Sequence, residues 1–221
     1  MTKVELIEVT KRIKQATVID NVTETLYGGS IVGLKGINGS GKTMLMRLIS
    51  GLIKPTSGLV KINGKVLGKD ISFPESIGML IENPAFLDHY SGFKNLELLA
   101  SIKQIIGSEK IRETITRVDL NPDDGKHYQK YSLGMKQRLG IAAAIMESPD
   151  IVILDEPTNS LDSDGVQIVK DIVTEERDRG ALVVLANHDY EILKFLSDEI
   201  IEIKQGQIVS REGRGGYLSL D

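Results

Sequence analysis

No cysteine occurs among the 221 residues. Disulfide scaffolds and thiolate metal sites are therefore excluded, and a reducing compartment suits the chain. Long apolar runs are missing as well. The longest, residues 151–154 and 181–186, are strand-sized and far below the roughly 20 residues of a membrane span. The N-terminal stretch MTKVELIEVTK holds no apolar segment of signal-peptide length. These gaps imply a cytosolic chain that can still dock on a membrane protein. Basic blocks are absent too. Lys and Arg are scattered, the net charge is −4 and the pI about 5.5, which argues against a nucleic-acid-binding surface. No repeat or low-complexity segment appears. The remainder is ordinary for a globular protein, with 41% hydrophobic and 26% charged residues.

Apolar patterning predicts strands near residues 4–7, 30–34, 59–62, 77–81, 151–154, 181–186 and 200–203. It predicts helices over 44–49, 93–106, 111–118, 135–146, 166–179 and 190–196. Gly28-Gly29 marks a turn and Asn83-Pro84 stops a strand. Strand–helix alternation with wholly apolar strands argues for an α/β fold whose parallel sheet is covered on both faces. Residues 83–145 interrupt that alternation with helices only.

Residues Gly36-Ile37-Asn38-Gly39-Ser40-Gly41-Lys42-Thr43 match G-x-x-x-x-G-K-[ST] at every fixed position. An apolar strand precedes them and a helix follows, as that motif requires. Its glycines let backbone N–H groups curl around phosphate oxygens, and the helix start adds the positive end of its dipole. Lys42 would reach the β- and γ-phosphates, and the Thr43 hydroxyl would ligate Mg²⁺. The second constellation is Ile151-Val152-Ile153-Leu154-Asp155-Glu156, a buried strand ending in two carboxylates. Asp155 suits the Mg²⁺ shell, and Glu156 suits a general base acting on water. A strand-end acid pair more often caps the next helix; the neighbouring phosphate loop favours the chemical reading.

Tyr131-Ser132-Leu133-Gly134-Met135 lies at the start of an alanine-rich helix. With the loops above, it resembles the LSGGQ signature of ABC transporter nucleotide-binding subunits. Ser132 and Gly134 are retained, while Leu133 and Met135 depart from the consensus. Residues 159–162 resemble the D-loop and His188 the switch histidine. The resemblance covers essentially the whole chain, with the motifs in order. It implies a P-loop NTPase core on a parallel sheet (residues 1–82 and 146–221), an antiparallel N-terminal β subdomain, and an inserted α-helical signature subdomain (83–145). It also implies that two subunits sandwich two ATP molecules head to tail, as a homodimer or with a different ABC ATPase. Ser132 and Gly134 would then contact the γ-phosphate held by the other subunit, and His188 the one in its own. A separate multispanning membrane subunit would supply the pore, placing the chain on the cytoplasmic face of the membrane.

Two further positions depart from that family. Ile13 stands where an aromatic residue usually stacks on adenine, so the base should be held loosely. Glu82, ending Ile77-Gly78-Met79-Leu80-Ile81-Glu82, stands where the family has glutamine. A carboxylate there can still ligate Mg²⁺, or it is simply an exposed loop acid. Residues 77–84 and 131–138 look like the bacitracin- and lantibiotic-type branch, which points to export of peptide antibiotics. Phe86, Tyr90 and Phe93 are either anchors for the membrane subunit or core of the helical part. The competing readings, a DNA-maintenance ATPase or a regulatory module, meet obstacles. The segment between Thr43 and Ser132 is too short for a long coiled coil, and Glu156 with His188 suits turnover.

Overall fold

The computed structural model describes residues 1–82 and 84–213, with the backbone alone at 216–218. Seven strands form the larger sheet, in the order β11-β10-β9-β3-β8-β7-β6. Its parallel part comprises β3 (Ser30–Lys35), β6 (Ile77–Leu80), β7 (Ile151–Asp155), β8 (Leu182–Ala186) and β9 (Glu199–Lys204). β10 (Gln207–Gly213) and β11 (Gly216–Leu218) extend it antiparallel. A second, antiparallel sheet runs β2-β1-β4-β5, from β1 (Lys3–Ile13), β2 (Ala16–Tyr27), β4 (Ser57–Ile62) and β5 (Lys65–Val66). The helices are α1 (Lys42–Ile49), α2 (Gly92–Lys103), α3 (Ser108–Arg117), α4 (Leu133–Ile145), α5 (Ser163–Asp178) and α6 (Tyr190–Leu196). Among the described residues, no helix is long and apolar enough to cross a membrane.

The larger sheet separates two hydrophobic cores. Val152, Leu154, Val183 and Leu185 face one core, with side chains of α2 to α6. Ile151, Ile153, Leu182 and Val184 face the other, with α1 and the antiparallel sheet. This is the period-two alternation of a strand, applied to residues that are all apolar because both faces are covered. Every residue of β7 and β8 is buried.

Element ends shift from the sequence expectation for local reasons. Helix α2 stops at Lys103, because Gln104 takes a left-handed backbone (φ 56°) and caps it. α5 begins at Ser163, since the Asp162 carboxylate accepts the Gly165 N–H. β2 and β10 escaped the pattern reading. In β1 and β2 the buried residues Val4, Leu6, Val9, Ile19, Val22 and Leu26 change spacing at register shifts. Glu8 (φ 49°) and Asn21 (φ 47°) have left-handed backbones beside those shifts, so strict alternation is broken.

The helical segment is anchored on the large sheet through α4. A Cβ added at Gly78 on β6 would lie 1.7 Å from the Ala144 carbonyl oxygen, so only glycine lets helix and strand approach this closely. Phe86 packs edge-on against Tyr128 at 5.2 Å, and Phe93 lies under the Arg112 guanidinium at 4.9 Å. Both rings border the first core, whereas Tyr90 is exposed. Gly78→Ala is expected to destabilise the chain by about 1–3 kcal/mol, the usual range for overpacking. A shifted denaturant midpoint at unchanged slope would show it.

Candidate active site

Residues from the ends of β3, β6, β7 and β8 converge at the carboxyl edge of the parallel sheet, where α/β folds bind ligands. The phosphate loop leads from β3 into α1. Gly39 (φ 79°) and Gly41 (φ 116°) occupy the left-handed region, which lets the loop curl. Ser40 is buried behind it, its Oγ lying 2.3 Å from where a Cβ at Gly36 would be. Lys42 Nζ donates to the carbonyls of Gly36 (2.7 Å) and Ile37 (3.2 Å), which holds the ammonium across the loop. The N-terminus of α1 has no side-chain cap, in contrast to α2, α4, α5 and α6. Its first-turn N–H groups stay available to an anion.

The acid pair sits beside this loop. The Thr43 hydroxyl donates to Asp155 Oδ2 at 2.7 Å. Burial pushes the Asp155 carboxyl above its ordinary range; Glu156 and Glu82 add to the rise, while the Thr43 hydroxyl and Lys42 oppose it. Among the described residues no cluster of three acidic or histidine side chains encloses a metal. Yet a hydroxyl and a carboxylate are hard oxygen donors, and Mg²⁺ is commonly held by one or two carboxylates with phosphates and water completing its shell. The donor set therefore fits Mg²⁺.

Glu156 has a left-handed backbone, φ 51°. Its N–H donates to the Ala186 carbonyl at 3.0 Å, and its carboxylate meets His188 Nδ1 at 2.7 Å. Next to His188, Asn187 donates to Thr158 Oγ1 at 2.6 Å, fastening the loop after β8 to the loop after β7. Glu82 follows β6, its side chain 64% exposed and paired with Arg47 of α1. Glu82, Asp155 and Glu156 line one cleft of about 830 Å³, with Leu133, Lys136 and Gln137 of α4. Gly36, Asn38, Gly39 and Ser40 line another of the same size, with His188 and Tyr190.

The fold thus brings together the loop residues, Asp155, Glu156, His188 and Glu82. Ser132 and Gly134 lie at the start of α4. Ser132 caps α4 by accepting the Met135 N–H at 3.2 Å, and Gly134 lies against the Ser160 carbonyl. Ile13 ends β1 opposite Ala16, 44% exposed. Its hairpin approaches the loop through Val18 and Ile19, which crowd Gly41. Arg47 and Gln137 carry no role in the sequence reading. Gln137 lies two residues beyond the signature, and only the fold shows what its amide touches.

The raised Asp155 carboxyl has a consequence for stability. A carboxyl raised in the folded state favours folding when protonated, and that contribution is lost as pH rises. Asp155→Asn keeps an acceptor for Thr43 and removes the charge. It is expected to raise the thermal midpoint of the free chain at neutral pH, with a smaller gain at acidic pH. Melting curves at both pH values check this.

Residues 19–159 match the family described as ABC transporter. An ABC transporter ATP-binding protein of Bacillus subtilis, YybJ, is 47% identical over 95% of this chain and 96% of its own. A lantibiotic transport ATP-binding protein of Streptococcus pyogenes, SrtF, is 31% identical over 96% of this chain and 91% of its own. Among solved structures, a dimeric ATP-binding cassette in a post-hydrolysis state bound to ADP and Pi matches with a TM-score of 0.85 at 26% identity. That likeness covers 95% of this chain and 98% of that one. With its phosphate loop and acid pair assembled at one sheet edge, the chain belongs to the ABC transporter family as an ATP-binding, ATP-hydrolysing subunit.

Proposed function

We propose that Glu156 is the general base of ATP hydrolysis and that turnover takes place in a head-to-tail pair of such chains. The observation that carries this reading is the Thr43–Asp155 hydrogen bond, which sets the phosphate loop against the strand end bearing Glu156. Gly36, Asn38, Gly39, Ser40 and Gly41 form the cradle for the triphosphate, and Lys42 places its charge on the β- and γ-phosphates. Thr43, Asp155 and Glu82 would hold Mg²⁺, which neutralises phosphate charge when bound. Glu156 takes a proton from the attacking water, whose oxygen bonds to the γ-phosphorus as the bond to ADP breaks. His188, on the same carboxylate, orients Glu156 and senses the γ-phosphate.

Ser132 caps α4 and Gly134 packs against residues 160 and 161 of its own chain, an arrangement consistent with a role on a second chain, identical or not. The exposed Leu133 (72%) lies between them. Closure of the pair would drive a separate multispanning membrane subunit from the cytoplasmic face of the membrane. The lantibiotic transport relative favours peptide antibiotics or similar amphiphiles as cargo, moved outward. Nucleic acid has no place in this reading, given the net charge of −4.

Glu156→Gln is expected to lower kcat by about 10²–10⁴ while ATP still binds. With ATP it should hold a stable pair and co-purify a multispanning protein from detergent-solubilised membranes. Unchanged turnover would refute the base, and recovery of ribosomes or nucleic acid instead would refute the transport role. Ligand titrations test the two departures. Ile13→Tyr should tighten ATP binding, since base stacking contributes about 1–3 kcal/mol, and Glu82→Ala should raise the Mg²⁺ concentration needed for half-maximal activity. Unchanged values would remove Ile13 from the base site and Glu82 from the metal shell.

A further inference from the structure

Helix α4 does more than carry the signature. Its first turns lie along the loop that holds the catalytic carboxylate of the same chain. Gly134, Gln137 and Arg138 are spaced three and four residues apart, so they share one helix face. All three touch residues 156–162. A Cβ at Gly134 would stand 2.9 Å from the Ser160 carbonyl oxygen, a close approach that glycine permits. The Arg138 guanidinium reaches Asp162 Oδ1 at 3.6 Å and also pairs with Asp119, just past the end of α3. Gln137, only 8% exposed, donates from Nε2 to the Glu156 carbonyl at 3.0 Å.

The last contact bears directly on Glu156. The residue is held at both of its peptide groups. Its N–H is fixed on β8 through the Ala186 carbonyl, and its carbonyl accepts from Gln137 and from the Asn159 N–H at 3.2 Å. Between these anchors the backbone is left-handed, a conformation that non-glycine residues keep only when their surroundings enforce it. The orientation of the two peptide planes sets where the Glu156 side chain leaves the chain. Without Gln137 the carbonyl keeps Asn159, so the loop survives but its peptide plane is less constrained.

We propose that Gln137 is a positioning residue, which aims the Glu156 carboxylate and ties its aim to the seating of the signature helix. The inference rests on the reading of Glu156 as the base. On α4, Ser132 and Leu133 lie at the exposed start, and Gly134 and Gln137 meet the loop of their own chain. A second chain pressing on the start of α4 would therefore bear on Glu156 of the same chain through Gln137.

Gln137→Met and Gln137→Leu remove the donor and retain an apolar body of similar size. ATPase assays of the full chain, with ATP binding and thermal melting measured in parallel, give the test. The expected result is a fall in kcat of about 10- to 100-fold, the scale at which a misplacement of about 1 Å is felt. The KM for ATP, the ATP affinity and the melting midpoint should stay close to those of the unaltered chain. ATP should still assemble the pair when Gln137→Met is combined with Glu156→Gln. Unchanged kcat in the Gln137 variants, with Glu156→Gln inactive, would overturn the positioning role and leave the base intact. Parallel loss of kcat, ATP affinity and the melting transition in both variants would reduce Gln137 to a structural residue and overturn it as well. Full turnover by Glu156→Gln would remove the base, and the inference with it.

Discussion

Burial of the central strands on both faces is the constraint from which the site follows. β7 and β8 lie between two hydrophobic cores, so a polar side chain within them would be taken out of water on either face. Polar chemistry is thus confined to the strand ends. Parallel strands place their carboxyl ends along one edge, and there the loops after β3, β6, β7 and β8 meet. Asp155 is the last residue of β7 and Glu156 the first beyond it. That one-residue step separates a buried carboxyl held by Thr43 from a less buried one that meets His188.

Much of this was legible in the sequence, because the motifs are contiguous and each rests on local backbone chemistry. The spacing of Gly36, Gly41, Lys42 and Thr43 indicates a phosphate cradle, and the wholly apolar run before Asp155 indicates a doubly covered strand. β2 was not legible, because register shifts break its alternation at Asn21 and leave Ile19, Val22 and Leu26 at uneven spacing. Gln137 and Arg47 were not legible as site residues for another reason. Their partners, Glu156 and Glu82, are 19 and 35 positions away, and no short pattern links them. Contacts across the topology, such as Asn187 with Thr158, lie beyond any reading of periodicity.

Charge at the site is arranged in the same economical way. Three carboxylates, Glu82, Asp155 and Glu156, lie near one another, and the repulsion among them raises the Asp155 carboxyl on top of its burial. Arg47 partners Glu82 and His188 meets Glu156, while Asp155 relies on the Thr43 hydroxyl and the nearby Lys42. A divalent cation held between Thr43 and Asp155 would reverse the local electrostatic balance.

The left-handed backbone of Glu156 has a consequence for how such a chain can change over time. At φ 51° the folding energetics favour glycine, yet the general-base role proposed for Glu156 requires a long acidic side chain there. Stability and turnover therefore pull this position in opposite directions. A population selected for heat resistance alone would tend to lose its acid here and drift toward chains that grip nucleotide without consuming it. The active form is preserved only where work on the membrane is itself under selection.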